Sequence, residues 1–496
     1  MAINVSFNGA TIFKPGAYSK TTIDLGGGFP LSPTGIVAIF GEADAGAPGS
    51  AETNIANNVF GPDELTSIRD KYGRGSIVDA ASFLFAPGAD GAIPGGAQAL
   101  YIYKTNASIR ALLDPIEAGG TDFGRLRARQ WGTSGNQITF KNTITAETPA
   151  TVTGSVITFP YTVTLATNDQ IKYRLNGGPE ATATIAAAAY ANIGALVTAI
   201  NTAFGASTLV AAPGTASDTL KLTQAAGTSL QRNGSGRSFE LTASNGLAGL
   251  GQIVGLSLAA SEPMATLAIR NPVSTLEESA TIGGEILMTL GRDSTGGATA
   301  AADVSISASS ITLAQTGATP ASIVLVKNDF PSIQSVVDYI NTLPGWTASA
   351  GSILLGQLSP NVLDRVSNAG AFHTSAGQPA RIKRDAALVA EFFNLSSQVE
   401  LIPLIGQTEV KKVGLPDEQG VPNALYLSGG AKGATASSDI VTALSKFEKF
   451  RVNSVVPLFS RDADEDIADQ LTDAASSYTI DGIHQAVKTH LSLMAT

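Results

Sequence analysis

The chain has no cysteine among its 496 residues. That excludes disulfide frameworks, thiolate zinc sites, iron–sulfur clusters and cysteine nucleophiles together. Histidine is almost as scarce: His373, His484 and His490 are the only three, and the last two stand six apart, on different faces of any helix. With neither an HExxH pattern nor a Cys/His spacing, no metal centre follows and no cofactor is expected. Charge is thin as well, at 15% of residues against about a quarter in ordinary globular chains. The 31 basic residues are outnumbered by 41 acidic ones, for a net charge of -10, which argues against nucleic acid as a direct partner. No apolar run reaches the ~18 residues of a spanning helix, so no membrane insertion is expected. The opening MAINVSFNGATIF has neither a basic leader ahead of an apolar core nor a small-residue cleavage site, and the expectation is folding in a cytoplasm.

What the chain has in abundance is glycine, 52 residues, and apolar side chains, 44% of the total. At about 150 residues per domain the length implies roughly three domains with sizeable cores. A surface this poor in charge suits a protein covered by neighbours in an assembly.

Residues 1–34 hold Pro15, Pro30, Pro33 and the run Gly26-Gly27-Gly28, with one alternating stretch in which Ile3, Val5 and Phe7 share a face. This reads as an extended N-terminal arm. Residues 35–142 alternate short apolar runs and helical pattern: a buried strand from Gly35 to Phe40, a helix over 76–85, a strand over 99–103, then strand, glycine turn and strand between Arg125 and Phe140. From 143 to 350 the composition turns to Thr, Ala, Ser and Gly with period-2 stretches such as VTGSVITF, YTVTLA and DTLKLT, a β-rich insertion. From 351 to 496 the α/β pattern returns, with helices over 385–394, 438–450 and 462 to about 476, and strands over 401–405, 424–427 and 454–459. The expected fold is an α/β (α+β) core formed by both ends of the chain, carrying a large β-rich insertion and an extended N-terminal arm.

The insertion contains an echo. AYANIGALVTAINT set against DFPSIQSVVDYINT pairs Tyr190 with Phe330, Ile193 with Ile333, Val197 with Val337, and Ile200-Asn201-Thr202 with Ile340-Asn341-Thr342 at a constant offset of 140 residues. Each copy reads as one amphipathic helix flanked by β stretches, so the region holds either two related β/α modules or two unrelated helices of one pattern.

Three motifs invite chemistry. The run Asp462-Ala-Asp464-Glu465-Asp466 spaces carboxylates as a calcium loop does, but its sixth position is Ile467 rather than glycine and its twelfth is Asp473 rather than glutamate; acidic residues opening a helix account for it. The loop Ser428-Gly-Gly-Ala-Lys432-Gly-Ala-Thr435 lies between a strand and a helix as a phosphate loop does, but Lys432 is followed by Gly433 rather than by Ser or Thr. Ser294 in GRDSTGG has no histidine at a suggestive spacing, and no GxSxG elbow occurs, so catalysis has no sequence support. Arg125, Arg127 and Arg129 on one strand face beside Trp131 form a basic strip, expected to be salt-bridged or subunit-facing given the acidic net charge. Lys446, Lys449 and Arg451 form a second basic cluster at a helix C-terminus, where the helix dipole favours cations.

The two ends of the chain resemble the contractile tail sheath proteins of myophages, a family shared with contractile bacteriocins and related injection machines. Lys14-Pro15-Gly16-Ala17-Tyr18 looks like the family's N-terminal PGVY-type segment, and Gly35 to Ala43 like its first strand and glycine loop. Gly95-Gly96-Ala97 before Leu100-Tyr-Ile-Tyr103 is similar to the turn before its second strand, and Ala128, Gly132 and Gly135-Asn136 before Ile138 match its most specific pattern. Leu427-Ser-Gly429-Gly430 with Gly433, then Val455-Val456-Pro457, resembles its C-terminal core. The likeness covers roughly residues 12–140 and 400–480 and does not extend to the insertion. It departs at the C-terminus, where sheath chains continue past the helix at Asp462 into further strands and an arm, and this sequence ends at Leu491–Thr496.

The resemblance implies a structural, non-enzymatic subunit of the phage tail, assembled in the host cytoplasm as stacked, hexameric rings around a tail tube. Its partners would be further copies of itself, the tail tube protein, and the baseplate and tail terminator proteins. Ile3, Val5, Phe7, Pro15, Gly16 and Tyr18 are the candidates for linkage to a neighbouring subunit, and Lys446, Lys449 and Arg451 the candidates for contact with the tube. The Thr/Ala/Gly-rich insertion and the lack of cysteine also suit a secreted or surface filament or adhesin-like protein.

Overall fold

The computed structural model describes residues 5–7, 10–12, 35–51, 58–86, 96–118, 120–207, 209–224, 238–244, 255–272, 275–293, 299–317, 321–373, 379–459 and 480–494. The fold is mixed α/β with many antiparallel sheets. Its helices are α1 (Leu65–Tyr72), α2 (Ser76–Phe85), α3 (Ile193–Phe204), α4 (Ile333–Ile340), α5 (Ile353–Gly356), α6 (Asp385–Leu395), α7 (Ser437–Phe447) and α8 (Ile480–Met494) among the described residues. Two compact units result, one of residues 1–108 with 432–496 and one of residues 109–431. The composition changes at 143 and 350 do not mark this division, because hydrogen-bonded ladders run across both. Thr139–Thr145 pairs with Met264–Asn271, and Ile286–Asp293 pairs with both Trp346–Ala350 and Ala380–Lys383.

In the first unit the apolar run Ile36–Gly41 is a central strand, parallel to Ala99–Lys104 on one side and to Ser454–Leu458 on the other. The short strand Val59–Phe60 closes the sheet antiparallel beyond Ala99–Lys104. Helices cover both faces, which is why these strands read as continuous apolar runs rather than alternating ones. Ile39, Leu100 and Ile102 pack against Ile68 and Tyr72 of α1 and Ile77, Val78 and Ala81 of α2. The intervening residues Ala38, Phe40 and Tyr103 pack against Ile440, Ala443, Leu444 and Phe447 of α7 and Ile483 and Val487 of α8. At about 25 cal/mol per Å² of apolar area, each fully buried side chain of this size contributes ~1.5–3 kcal/mol.

Within the expected extended arm, two short strands are described, and they form a hairpin pair. Val5–Phe7 pairs antiparallel with Ala10–Ile12, with Phe7 opposite Ala10. The residues between the strands are Asn8-Gly9, the dipeptide that two-residue hairpins favour.

Among its described residues the second unit holds three hydrophobic cores. One surrounds α3, one surrounds α4, and the third joins α6 to the strands Thr121–Trp131, Thr139–Thr145 and Met264–Asn271. The 140-residue echo is structural. Asn192 caps α3 by accepting from Ala195 N (3.0 Å), and Ser332, the residue 140 positions on, caps α4 by accepting from Ser335 N (3.3 Å). Leu196, Val197 and Ile200 are buried in the first copy and Val336, Val337 and Ile340 in the second. Each helix leads into a strand, Leu209–Pro213 or Trp346–Ala350, and is tied to it by the equivalent asparagine.

Candidate assembly interface

Of the expected linkage residues, Val5 and Phe7 lie in the hairpin's first strand, and Ile3, Pro15, Gly16 and Tyr18 lie outside the described residues. A complementary feature stands at the other end of the chain. Ser454–Leu458 is an edge strand, with no partner on its outer side among the described residues. Asn453 locks its start: its N–H donates to Ile36 O (2.8 Å) and its Oδ1 accepts from Ile36 N (3.1 Å). Pro457, which has no N–H to give a ladder, is a residue that only edge strands tolerate. Beside the strand, Pro457 and the α8 residues His484, Val487, Lys488, Leu491 and Ser492 line a groove of about 510 Å³.

The glycine-rich loop follows the strand Leu425–Tyr426, a partner of Thr139–Thr145, and precedes α7, and its residues Lys432 and Thr435 meet residues just past the carboxyl ends of Ile36–Gly41 and Ala99–Lys104, the place where α/β sheets bind ligands. Here the loop is held by the sheet's own side chains. Thr435 Oγ1 donates to Glu42 Oε1 (2.7 Å) and shares a hydrogen bond with Thr105 Oγ1 (2.9 Å). Asn106 Nδ2 donates to Ala43 O (2.9 Å) and Lys432 O (2.8 Å), and Ser108 Oγ donates to the same Lys432 carbonyl (2.8 Å). Gly433 has φ +73°, and a Cβ there would meet Ala107 O at 2.0 Å, so only glycine fits. Lys432 Nζ stands 3.7 Å from carboxylate oxygens of both Glu42 and Asp44, so the loop's cation already faces protein anions. Glu42 and Lys104 are each 1% exposed. Burial pushes the Glu42 carboxyl up to about 7, against the opposing pull of the Thr435 hydroxyl and of Lys432. Burial likewise pushes Lys104 down to about 7, although its ammonium donates to Asn106 O (3.0 Å) and to Ser108 Oγ. The network joins residues scattered from 42 to 435, and nothing in the spacing of the sequence announces it.

Lys446 lies half-buried in the last turn of α7, and Lys449 and Arg451 follow it, exposed. Beside them Glu448 stands 3.9 Å from His490 Nδ1 of α8. The Arg125–Arg129 strip, in the second unit, is salt-bridged: Arg125 to Asp114, and Arg127 to Glu400 (2.7 Å), which also holds Arg110. Arg129 donates to the carbonyls of Asn394 (2.9 Å) and Ser396 (2.7 Å) at the end of α6, and Arg110 stacks 4.3 Å over Trp131. The acidic run 462–466 and Ser294 lie outside the described residues. Among the described residues no group of three or more His, Asp or Glu is placed to hold a metal ion, and no helix is long and apolar enough to cross a membrane.

No protein-family model matches the chain, and no curated protein matches it.

Proposed function

We propose that this chain is a structural subunit of a contractile tail sheath, a virion protein that polymerises as stacked rings around a tail tube and shortens to drive the tube through a host envelope. What supports the reading is the presence in one chain of a strand pair, Val5–Phe7 with Ala10–Ile12, and of a sheet edge at Ser454–Leu458 that has no outer partner among the described residues. Strand addition between copies supplies backbone hydrogen bonds worth a net ~0.5–1.5 kcal/mol each, so a few bonds with their apolar contacts give several kcal/mol per link. Subunits linked in this way rotate as rigid bodies without separating. Contraction then needs no nucleotide, because a lattice assembled in a high-energy packing releases free energy as it adopts the other. The partners are further copies of the chain, the tail tube protein, and the baseplate and terminator proteins that bound the lattice.

The test is negative-stain electron microscopy of the purified full-length chain at rising concentration. Wide hollow cylinders with helical striations are expected. Thin solid filaments would replace the reading with that of a surface filament protein.

A further inference from the structure

The strand Ala380–Lys383 and helix α6 pass from one hydrophobic core of the second unit to another. Ala380 and Ile382 belong to the core around α4, and Ala386, Val389 and Phe393 to the core beneath Thr121–Trp131. Five ionisable side chains, each at most 5% exposed, converge on this joint: Glu262, Asp364, Arg381, Lys383 and Asp385. Asp364 caps α6 from a distance in the chain, its two oxygens accepting from Asp385 N and Ala386 N at 2.9 Å each. Lys383 Nζ stands 2.6 Å from Glu262, and Arg381 pairs with the same carboxylate. Asp385 is left over. It is wholly buried, and neither of its carboxylate oxygens accepts a hydrogen bond.

The charges do not balance. Three carboxylates face two cations, so the buried set is neutral only when it holds one proton. Among the described residues no further cation forms an ion pair with the set, although the buried Lys327 feels the charge of Asp364 as the smallest of its influences. Arg384 is turned to Glu285 (2.6 Å). On the Asp364 side, Lys327 donates to Ser307 O (2.8 Å), Lys412 to Asn361 O (2.9 Å), and Arg365 pairs with Glu409. Leaving a carboxylate ionised and unpaired in such a place is strongly unfavourable, whereas a protonated one is far less so.

We propose that the joint between strand Ala380–Lys383 and α6 is a proton-controlled hinge: one proton held by the Asp364–Asp385 pair keeps α6 seated, and its loss loosens the first turn of the helix. The proposal does not depend on the sheath reading. Burial pushes both carboxyls up, Asp364 to about 8 with the charge of Asp385 adding to the effect, and Asp385 to about 6 against the pull of Lys383. Both are raised above the unfolded value, so their contribution is complete below about pH 4 and is lost as pH rises through 6 and 8.

The experiment is amide hydrogen exchange of the full-length chain between pH 5 and 9, with rates divided by the intrinsic exchange rate at each pH. Protection of α6 is expected to fall by about tenfold or more over that range, while α3 in the same unit keeps its protection. Asp385→Asn, which removes the orphaned charge at constant shape, is expected to flatten the α6 profile. A flat α6 profile in the unmodified chain overturns the proposal without any variant. An equal loss of protection in α3, or an undiminished pH dependence in Asp385→Asn, overturns it as well.

Discussion

Asn201 and Asn341, 140 residues apart, make the same pair of hydrogen bonds to the strand that follows their helix. Asn201 donates to Ala211 O (2.9 Å) and accepts from Ala211 N (2.7 Å), and Asn341 does so with Ala348 O (3.0 Å) and Ala348 N (2.8 Å). Two half-buried bonds at a net ~0.5–1.5 kcal/mol each give Asn201→Ala and Asn341→Ala a similar cost of about 1–3 kcal/mol. Because the side chains serve separate cores, the double variant should lose the sum of the two. Urea denaturation of the three variants measures both, and a cost at one site alone would argue against equivalent modules.

The buried pair Glu42 and Lys104 gives the first unit an unusual pH profile. Glu42 titrates at about 7 when folded and at about 4.5 when unfolded, so its contribution is complete below 4.5 and lost as pH rises to 7. Lys104 is lowered from 10.5 to about 7, so its contribution is complete above 10.5 and lost as pH falls to 7. Stability of this unit therefore passes through a minimum near pH 7, shallower by about 1–2 kcal/mol on the acid side in Glu42→Gln. Thermal unfolding from pH 5 to 9 reads the dip directly, and a maximum near 7 would refute it.

Deleting residues 1–20 should leave the core sheet intact, since its described strands begin at Ile36. The truncated chain is expected to stay folded by circular dichroism and to form no cylinders by electron microscopy. Cylinders of normal width from the truncated chain would remove the arm from the linkage.

Reversing Lys446, Lys449 and Arg451 to glutamate puts three anions at the C-terminal end of α7, where the helix dipole disfavours them by ~0.3–1 kcal/mol each. Assembly on isolated tail tubes should fall further than assembly without tubes. Equal losses in the two sedimentation assays would take these residues out of the tube contact.

Much of the first unit could be read from the sequence because its signals are local. Ile36–Gly41 is apolar on both faces, α2 occupies the expected 76–85, and α7 (Ser437–Phe447) opens within one residue of the expected position. Helix α1 escaped notice because only Ile68 and Tyr72 of LTSIRDKY are buried, too short an apolar stripe to show a period. The pairing of Val5–Phe7 with Ala10–Ile12 has its sequence signal in Asn8-Gly9, which stands beside the stronger alternation of Ile3, Val5 and Phe7. The unit boundaries escaped for another reason. Composition reports which side chains meet solvent, whereas the division at 108 and 431 follows strand pairings such as Thr121–Trp131 with Val399–Ile402, which composition does not record. Likewise Glu262, Asp364 and Asp385 are brought together from positions with no shared motif, so the buried charge set became visible only in three dimensions.

The bond between Ile36 and Asn453 spans 417 residues. On a ribosome adding about 5–20 residues per second, Ile36–Gly41 emerges tens of seconds before its partner Ser454–Leu458 exists. During that interval one side of the central strand has no ladder, and residues 109–431 are made and can fold progressively within it. Folding is thus expected to run from the middle outward: residues 109–431 can close their own ladders before the sheet of the other unit gains its strand Ser454–Leu458.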